Sequence, residues 1–201
     1  MDYADIKELH YIAPLVNLKS VLEHGIFSHE KASKVEHESV AMQQIQELRQ
    51  NVFVPNPSGG RRLHSYANLY FDARNPMLFV RRTQHNELCV VRVHRTVIEL
   101  PGVVVTDKNA SSGYARFGAG VVGLSIVDRE LTFAEYWTSN DEIDQFRRRS
   151  ARCAEVLVPD VVETALLFGA YVSTEANLML IRNLPTPTGF ECSINRHLFF
   201  Q

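Results

Sequence analysis

The apolar residues of this chain come in short runs separated by breakers, and that pattern limits what it can fold into. Leu9-His10-Tyr11-Ile12, Val52-Phe53-Val54, the stretches Leu63 to Phe71 and Glu87 to Arg95, Val103 to Val105 and Val156 to Val158 are rich in β-branched and aromatic residues. Ala13-Pro14, Pro55 to Gly60, Asp72 to Pro76 and Pro101-Gly102 punctuate them. Runs of this length and make-up read as strands. Helical signals are fewer. Leu15, Leu18 and Leu22, with Val21 beside them, share one helical face between Asn17 as N-cap and Gly25 as stop. Lys31 to Gln50 reads as a polar surface helix with Val40, Ile45 and Leu48 as sparse apolar positions. Ser139-Asn140-Asp141-Glu142 has capping-box spacing ahead of a helix running from Asn140 toward Arg149. Asn109 to Gly123 reads as a long small-residue loop, and Ala165 to Val172 and Asn177 to Ile181 as late strands or a buried helix. The tail from Pro185 is open to being docked or loose. The class expected is α+β, with two packed antiparallel or mixed sheets and helices at the periphery.

With 201 residues, 45% hydrophobic and 22% charged, residues 1–201 form a single expected domain, able to bury roughly 70% of its unfolded surface. Cys89, Cys153 and Cys192 are odd in number and lack any CxxC or Cys/His ligand spacing. A disulfide framework and a metal site are therefore not expected, and a reducing cytoplasm is. The acidic N-terminus has no apolar signal core, and no apolar run is long enough to span a bilayer. A net charge of -2 gives no overall field for polyanions. Positive charge is local, at Arg61-Arg62, Arg81-Arg82 and Arg147 to Arg152.

The last of these clusters leads straight into a candidate site. Arg147, Arg148, Arg149 and Arg152 precede Glu155, which stands at the mouth of the apolar run Val156-Leu157-Val158. Arginines holding an anionic substrate beside a single acid at the reacting carbon form one reading. A solvated basic segment matching a helix dipole is the other.

Three separated pieces carry a resemblance: Leu9 to Gly25, with Asn17-Leu18 and Val21-Leu22-Glu23-His24-Gly25; Tyr70-Phe71-Asp72-Ala73-Arg74-Asn75-Pro76-Met77-Leu78, preceded by Leu63-His64-Ser65-Tyr66; and Ala154-Glu155-Val156-Leu157-Val158. In that order they resemble the DarT family of DNA ADP-ribosyltransferase toxins. Ala73 stands where the family has Pro and Asn75 where it has Ser, while its Tyr-His opening is transposed as His10-Tyr11. The resemblance implies an ADP-ribosyltransferase fold with an NAD cleft between two sheets. It also implies transfer of ADP-ribose to a base, thymine or guanine, in single-stranded DNA, and a macrodomain-type antitoxin as partner. A monomer is expected.

Under that resemblance Glu155 is the catalytic carboxylate: it stabilises oxocarbenium character at the anomeric carbon and accepts a proton from the attacking base. Arg74 meets the diphosphate and polarises the base, its fork suiting either task. His10 and Tyr11, as neighbours on a strand, point to opposite faces, so only one of them faces the cleft; His10 is the one assigned to the nicotinamide side. Asn17 bonds a ribose hydroxyl or simply caps its helix; Tyr70 and Met77 pack on NAD or only on the core. Arg147, Arg148, Arg149 and Arg152 grip the phosphates of the strand. Transfer to RNA or protein, RNA phosphotransfer and a catalytically silent NAD- or nucleic-acid-binding module are the competing readings.

Overall fold

The computed structural model describes residues 1–34, 48–56 and 59–201. Its strands are β1 (Leu9–Pro14), β2 (Ile26–Phe27), β3 (Phe53–Val54), β4 (Arg61–Arg62), β5 (Tyr66–Tyr70), β6 (Leu88–Val93), β7 (Val104–Thr106), β8 (Phe117–Ala119), β9 (Glu155–Pro159), β10 (Val161–Val162), β11 (Leu167–Val172) and β12 (Glu191–Ile194). Around them lie the helices α1 (Leu18–His24), α2 (His29–Ala32), α3 (Pro76–Val80), α4 (Arg129–Thr132), α5 (Glu142–Ala151) and α6 (Glu175–Arg182). Eight strands form one sheet in the order β12-β11-β6-β1-β5-β9-β7-β8, while β2 with β10 and β3 with β4 form two small two-stranded sheets. Within the large sheet only β11 and β12 run parallel.

Strand alternation divides the large sheet into two unlike faces. Leu9 and Ala13, Ala67 and Leu69, Cys89, Val91 and Val93, Val156 and Val158, and Ala170 and Val172 turn to one face. There they join Leu18, Val21 and Leu22 of α1 and Leu178 and Ile181 of α6 in the main core. The other face carries two smaller cores instead of one. The second gathers Ile12, Tyr70, Leu78, Leu88, Val90, Leu198 and Phe199; the third gathers Val54, Leu63, Tyr66, Val104, Ala110 and Leu157. Polar residues sit where those two part. Asn68 lies between Tyr66 and Tyr70 on β5, and Glu155 stands two residues before Leu157 on β9.

Several local expectations shift. The first strand continues through Ala13-Pro14, since β1 pairs with β6 as far as Pro14 but with β5 only at His10↔Tyr70, so one side of the proline has no ladder to interrupt. Gly25 ends α1 with φ +84, and a Cβ there would meet the Val162 carbonyl oxygen at 2.3 Å, so it also lets β2 pair with β10. Leu63–Ser65 is a 3-10 turn ahead of β5. The Asn109 to Gly123 region contains β8, which pairs back on β7. Of the helix expected over Lys31 to Gln50, only α2 and a helical end at residues 48–50 are described; residues 35–47 lie outside the described residues. Helix α5 is capped by Asp141, whose carboxylate accepts from the Ile143 and Asp144 amides, in place of the expected box. Asn177 to Ile181 is the helix α6, and the tail is docked through β12, Leu198 and Phe199.

Candidate active site

Register alone assembles the centre of the site. His10 pairs with Arg92 on one side and Tyr70 on the other, and Tyr70 pairs with Glu155. Arg92, His10, Tyr70 and Glu155 thus stand side by side across β6, β1, β5 and β9. Tyr11 turns to the opposite face, against the main core, where burial pushes its phenol up to about 12. The expected choice between His10 and Tyr11 on this face falls to His10.

Glu155 is 0% exposed, and both oxygens of its carboxylate accept hydrogen bonds. Oε2 accepts from Asn68 Nδ2 at 3.0 Å, from the Ala110 amide at 3.2 Å and from Arg49 Nη2 at 3.3 Å. Oε1 accepts only from Arg49 Nη1, at 3.2 Å, among the described residues. The Glu155 amide donates to Thr106 Oγ1, and Asn109 Oδ1 accepts from Arg49. A buried carboxylate costs several kcal/mol of desolvation unless matched by such donors, and the fork of Arg49, the Asn68 side chain and the Ala110 amide supply them. Among the described residues the uneven division leaves Oε1 with the spare acceptor capacity. Beside it, burial and then the charges of Glu155 and Cys153 push the Tyr70 phenol well above its ordinary range.

On the far side of Tyr70, His10 lines a cavity of about 890 Å³ together with Glu8, Phe71, Asp72, Arg92 and Tyr171. That volume falls in the small-ligand class, about 300–1,000 Å³. Glu8 is its most constrained group. Oε1 accepts from His10 Nε2 and from the Tyr171 hydroxyl, both at 3.0 Å, and Oε2 from Arg92 at 2.7 and 2.8 Å. Burial alone would raise the Glu8 carboxyl; the hydrogen bonds and charges of His10 and Arg92 outweigh it and hold the group at about 2. Arg92 is in turn flanked by the rings of Phe168 and Tyr171.

The other expected residues fall outside this row. Arg74 follows β5, and its guanidinium donates to the backbone oxygens of His197 and Glu135 and lies over the Phe200 ring at 4.2 Å. The guanidinium on Glu155 is Arg49's. Asn17 occupies the position before α1 without a side-chain capping bond. It lies past Pro14, at the opposite end of β1 from His10, so one ligand reaches both only by lying along the strand. Met77 packs at the edge of the second core.

The arginine cluster divides. Arg147 and Arg149 are exposed on α5, with Arg147 3.7 Å from Asp128, and Arg148 is paired with Asp144 at 2.6 Å. Arg152 is corrected outright: it is 2% exposed and is bonded to Asp72, to the Thr132 carbonyl and to the Arg74 carbonyl. A guanidinium so enclosed locks the 72–75 turn and cannot present itself to a phosphate.

Sequence reasoning missed Arg49, Asn68, Thr106 and Ala110. Asn68 had a signal, as the lone amide at the centre of Tyr66-Ala67-Asn68-Leu69-Tyr70. Arg49 had none, because nothing in a polar run distinguishes an arginine that turns inward. Among the described residues, no group of three or more His, Cys, Asp or Glu side chains is placed to hold a metal, and no helix is long and apolar enough to cross a membrane.

Comparison with known proteins gives this site a setting. The family described as "ssDNA thymidine ADP-ribosyltransferase, DarT" matches residues 10–200. A DNA ADP-ribosyl transferase-DNA ADP-ribosyl glycohydrolase fusion protein of Thermosipho africanus (strain H17ap60334) is 29% identical over 204 residues, 92% of this chain and 49% of its own length. This chain therefore spans about half of that relative. The solved Thermosipho africanus DarTG in complex with ADP-ribose superposes with a TM-score of 0.81 at 26% identity, over 96% of this chain and 51% of that one. Thermus sp. 2.9 DarT in complex with ADP-ribosylated ssDNA gives 0.80 at 24% identity over 98% of both chains. The same protein in complex with NAD+ gives 0.77 at 21% identity, over 96% of this chain and 97% of that one. The large sheet with its small companions is thus the ADP-ribosyltransferase fold, and the chain belongs to the DarT family.

Proposed function

We propose that this chain is a single NAD-dependent transferase domain that attaches ADP-ribose to a thymine base in single-stranded DNA. The observation that carries the reading is the row His10, Tyr70, Glu155, with a buried carboxylate whose two oxygens are unequally occupied. In the reaction the bond between nicotinamide and the ribose anomeric carbon breaks, and nicotinamide leaves with the electron pair. A ring nitrogen of the base then forms the new bond to that carbon. Its proton passes to Oε1 of Glu155, the oxygen with acceptor capacity to spare. Positive charge developing on the ribose is stabilised by the same carboxylate more than in the ground state. Arg49, Asn68 and the Ala110 amide fix its orientation, so little reorganisation is required when charge develops.

The cavity lined by His10 takes part of the dinucleotide, with Tyr70 packing beside the nicotinamide ribose and Arg74 offering its remaining nitrogen to the diphosphate. Asn17 contacts the donor only if the donor runs along β1. The three cysteines are unpaired, as suits a protein working in a reducing cytoplasm. A DNA ADP-ribosyl glycohydrolase of the macrodomain type, fused in the Thermosipho relative's name to the transferase, is the expected antitoxin. The test is incubation with NAD+ and separate pools of single-stranded DNA, RNA and protein, followed by mass spectrometry. An ADP-ribosyl adduct on thymine is expected; adducts confined to RNA or protein would overturn the reading.

A further inference from the structure

The small sheet of β3 and β4 carries a feature that the transfer chemistry does not use. Its alternation turns Val54 inward to the third core and Phe53 outward, and Phe53 pairs directly with Arg62. Phe53 is 61% exposed. Its ring lies against Gly60: a Cβ on that glycine would fall 2.0 Å from the ring. Glycine thus makes the seat that holds the phenyl flat on one side and open to solvent on the other. On the inner face Arg61 is engaged bidentately by Asp160 at 2.8 and 2.9 Å. Arg62, on the exposed face, donates to the Gln50 carbonyl and has no carboxylate partner among the described residues. Four residues before Phe53 the same segment supplies Arg49, which grips Glu155, so the Cα atoms of the two residues are at most about 14 Å apart.

An open aromatic face directly beside an uncompensated guanidinium matches the two demands of a single strand: a base to stack and a phosphate to neutralise. We infer that Phe53 and Arg62, seated on Gly60, form a subsite that stacks a base of single-stranded DNA flanking the modified one and holds its phosphate. This rests on the reading that the site acts on single-stranded DNA.

The experiment is fluorescence anisotropy with a short labelled DNA strand and no NAD+, at several salt concentrations, alongside a matching RNA strand. Phe53→Ala is expected to weaken DNA binding about tenfold or more, and Phe53→Trp to preserve it. Gly60→Ala is expected to weaken it too, by displacing the ring. Arg62→Ala should lower the salt slope by about 0.7. Thermal unfolding of each variant separates a lost fold from a lost contact. Phe53→Ala binding DNA as tightly as the parent, or a loss seen with RNA alone, would overturn the subsite. Because binding is read without chemistry, adducts on another pool would remove the proposed reaction while leaving this measurement to stand or fall independently.

Discussion

Glu155 is a buried carboxylate and Glu8 a half-buried one, and their surroundings suit them to different tasks. Glu8 has four donor contacts spread over both oxygens, while Glu155 keeps one oxygen lightly held. Replacing Glu155 by Gln keeps the shape and removes the base, so transfer should fall by a factor of about 10²–10⁴. NAD+ affinity by calorimetry should stay within a few-fold, and turnover at the parental rate would refute the role. Glu8 should appear in the pH dependence of stability. Its folded value, about 2, lies below its ordinary 4.5. Its stabilisation is therefore complete above pH 4.5 and is lost as pH falls toward 2. Denaturant titrations between those limits should show that loss, and Glu8→Gln should flatten it. Glu155 was legible because an isolated acid before an apolar run is conspicuous; strand alternation made it legible that His10 and Tyr11 face opposite ways, and the packing of Tyr11 on the main core decides which way. Arg49 was not, since burial of a long polar side chain is decided by a partner 106 residues away.

The turn between β5 and α3 shows how an element carries a site. Asn75 is fully buried; its side-chain oxygen accepts from the Met77 and Leu78 amides while its nitrogen donates to the Asp72 carbonyl. Asn and Ser are both strong N-caps, so the Asn found where the family has Ser leaves the cap chemistry intact. Asn75→Ala should cost about 2 kcal/mol, the lost cap together with stranded amides, and Asn75→Ser less than half of that. Denaturant midpoints of the two variants measure the difference; equal midpoints would remove the cap argument. Strand and helix identities were readable wherever periodicity ran unbroken, as in Leu88–Val93. Asn177 to Ile181 was ambiguous because five mostly apolar residues fit either period, and the Thr174 cap, which accepts from the Asn177 amide, decides it.

At the scale of the whole molecule, the C-terminal segment closes the second core. Leu198 and Phe199 are buried in it, β12 adds in parallel to β11, and the His197 carbonyl receives Arg74. No sequence period announces this, because docking depends on surface left open by Ile12, Tyr70 and Leu88, far away along the chain. Removing residues 195–201 forfeits two large apolar side chains, about 3–6 kcal/mol together, against a typical total stability of about 5–15 kcal/mol. The truncated protein should melt far below the parent or fail to fold, as circular dichroism would record; an unchanged melting curve would contradict the packing.

The clasp between Arg74 and His197 spans 123 residues. A polypeptide still on the ribosome can pair β1, β5 and β9 early, and Arg152 can already hold the 72–75 turn, but the Arg74 guanidinium has no His197 carbonyl to meet until the chain has emerged that far. The Arg74 side chain therefore takes its final position later in synthesis than the strands that carry His10, Tyr70 and Glu155.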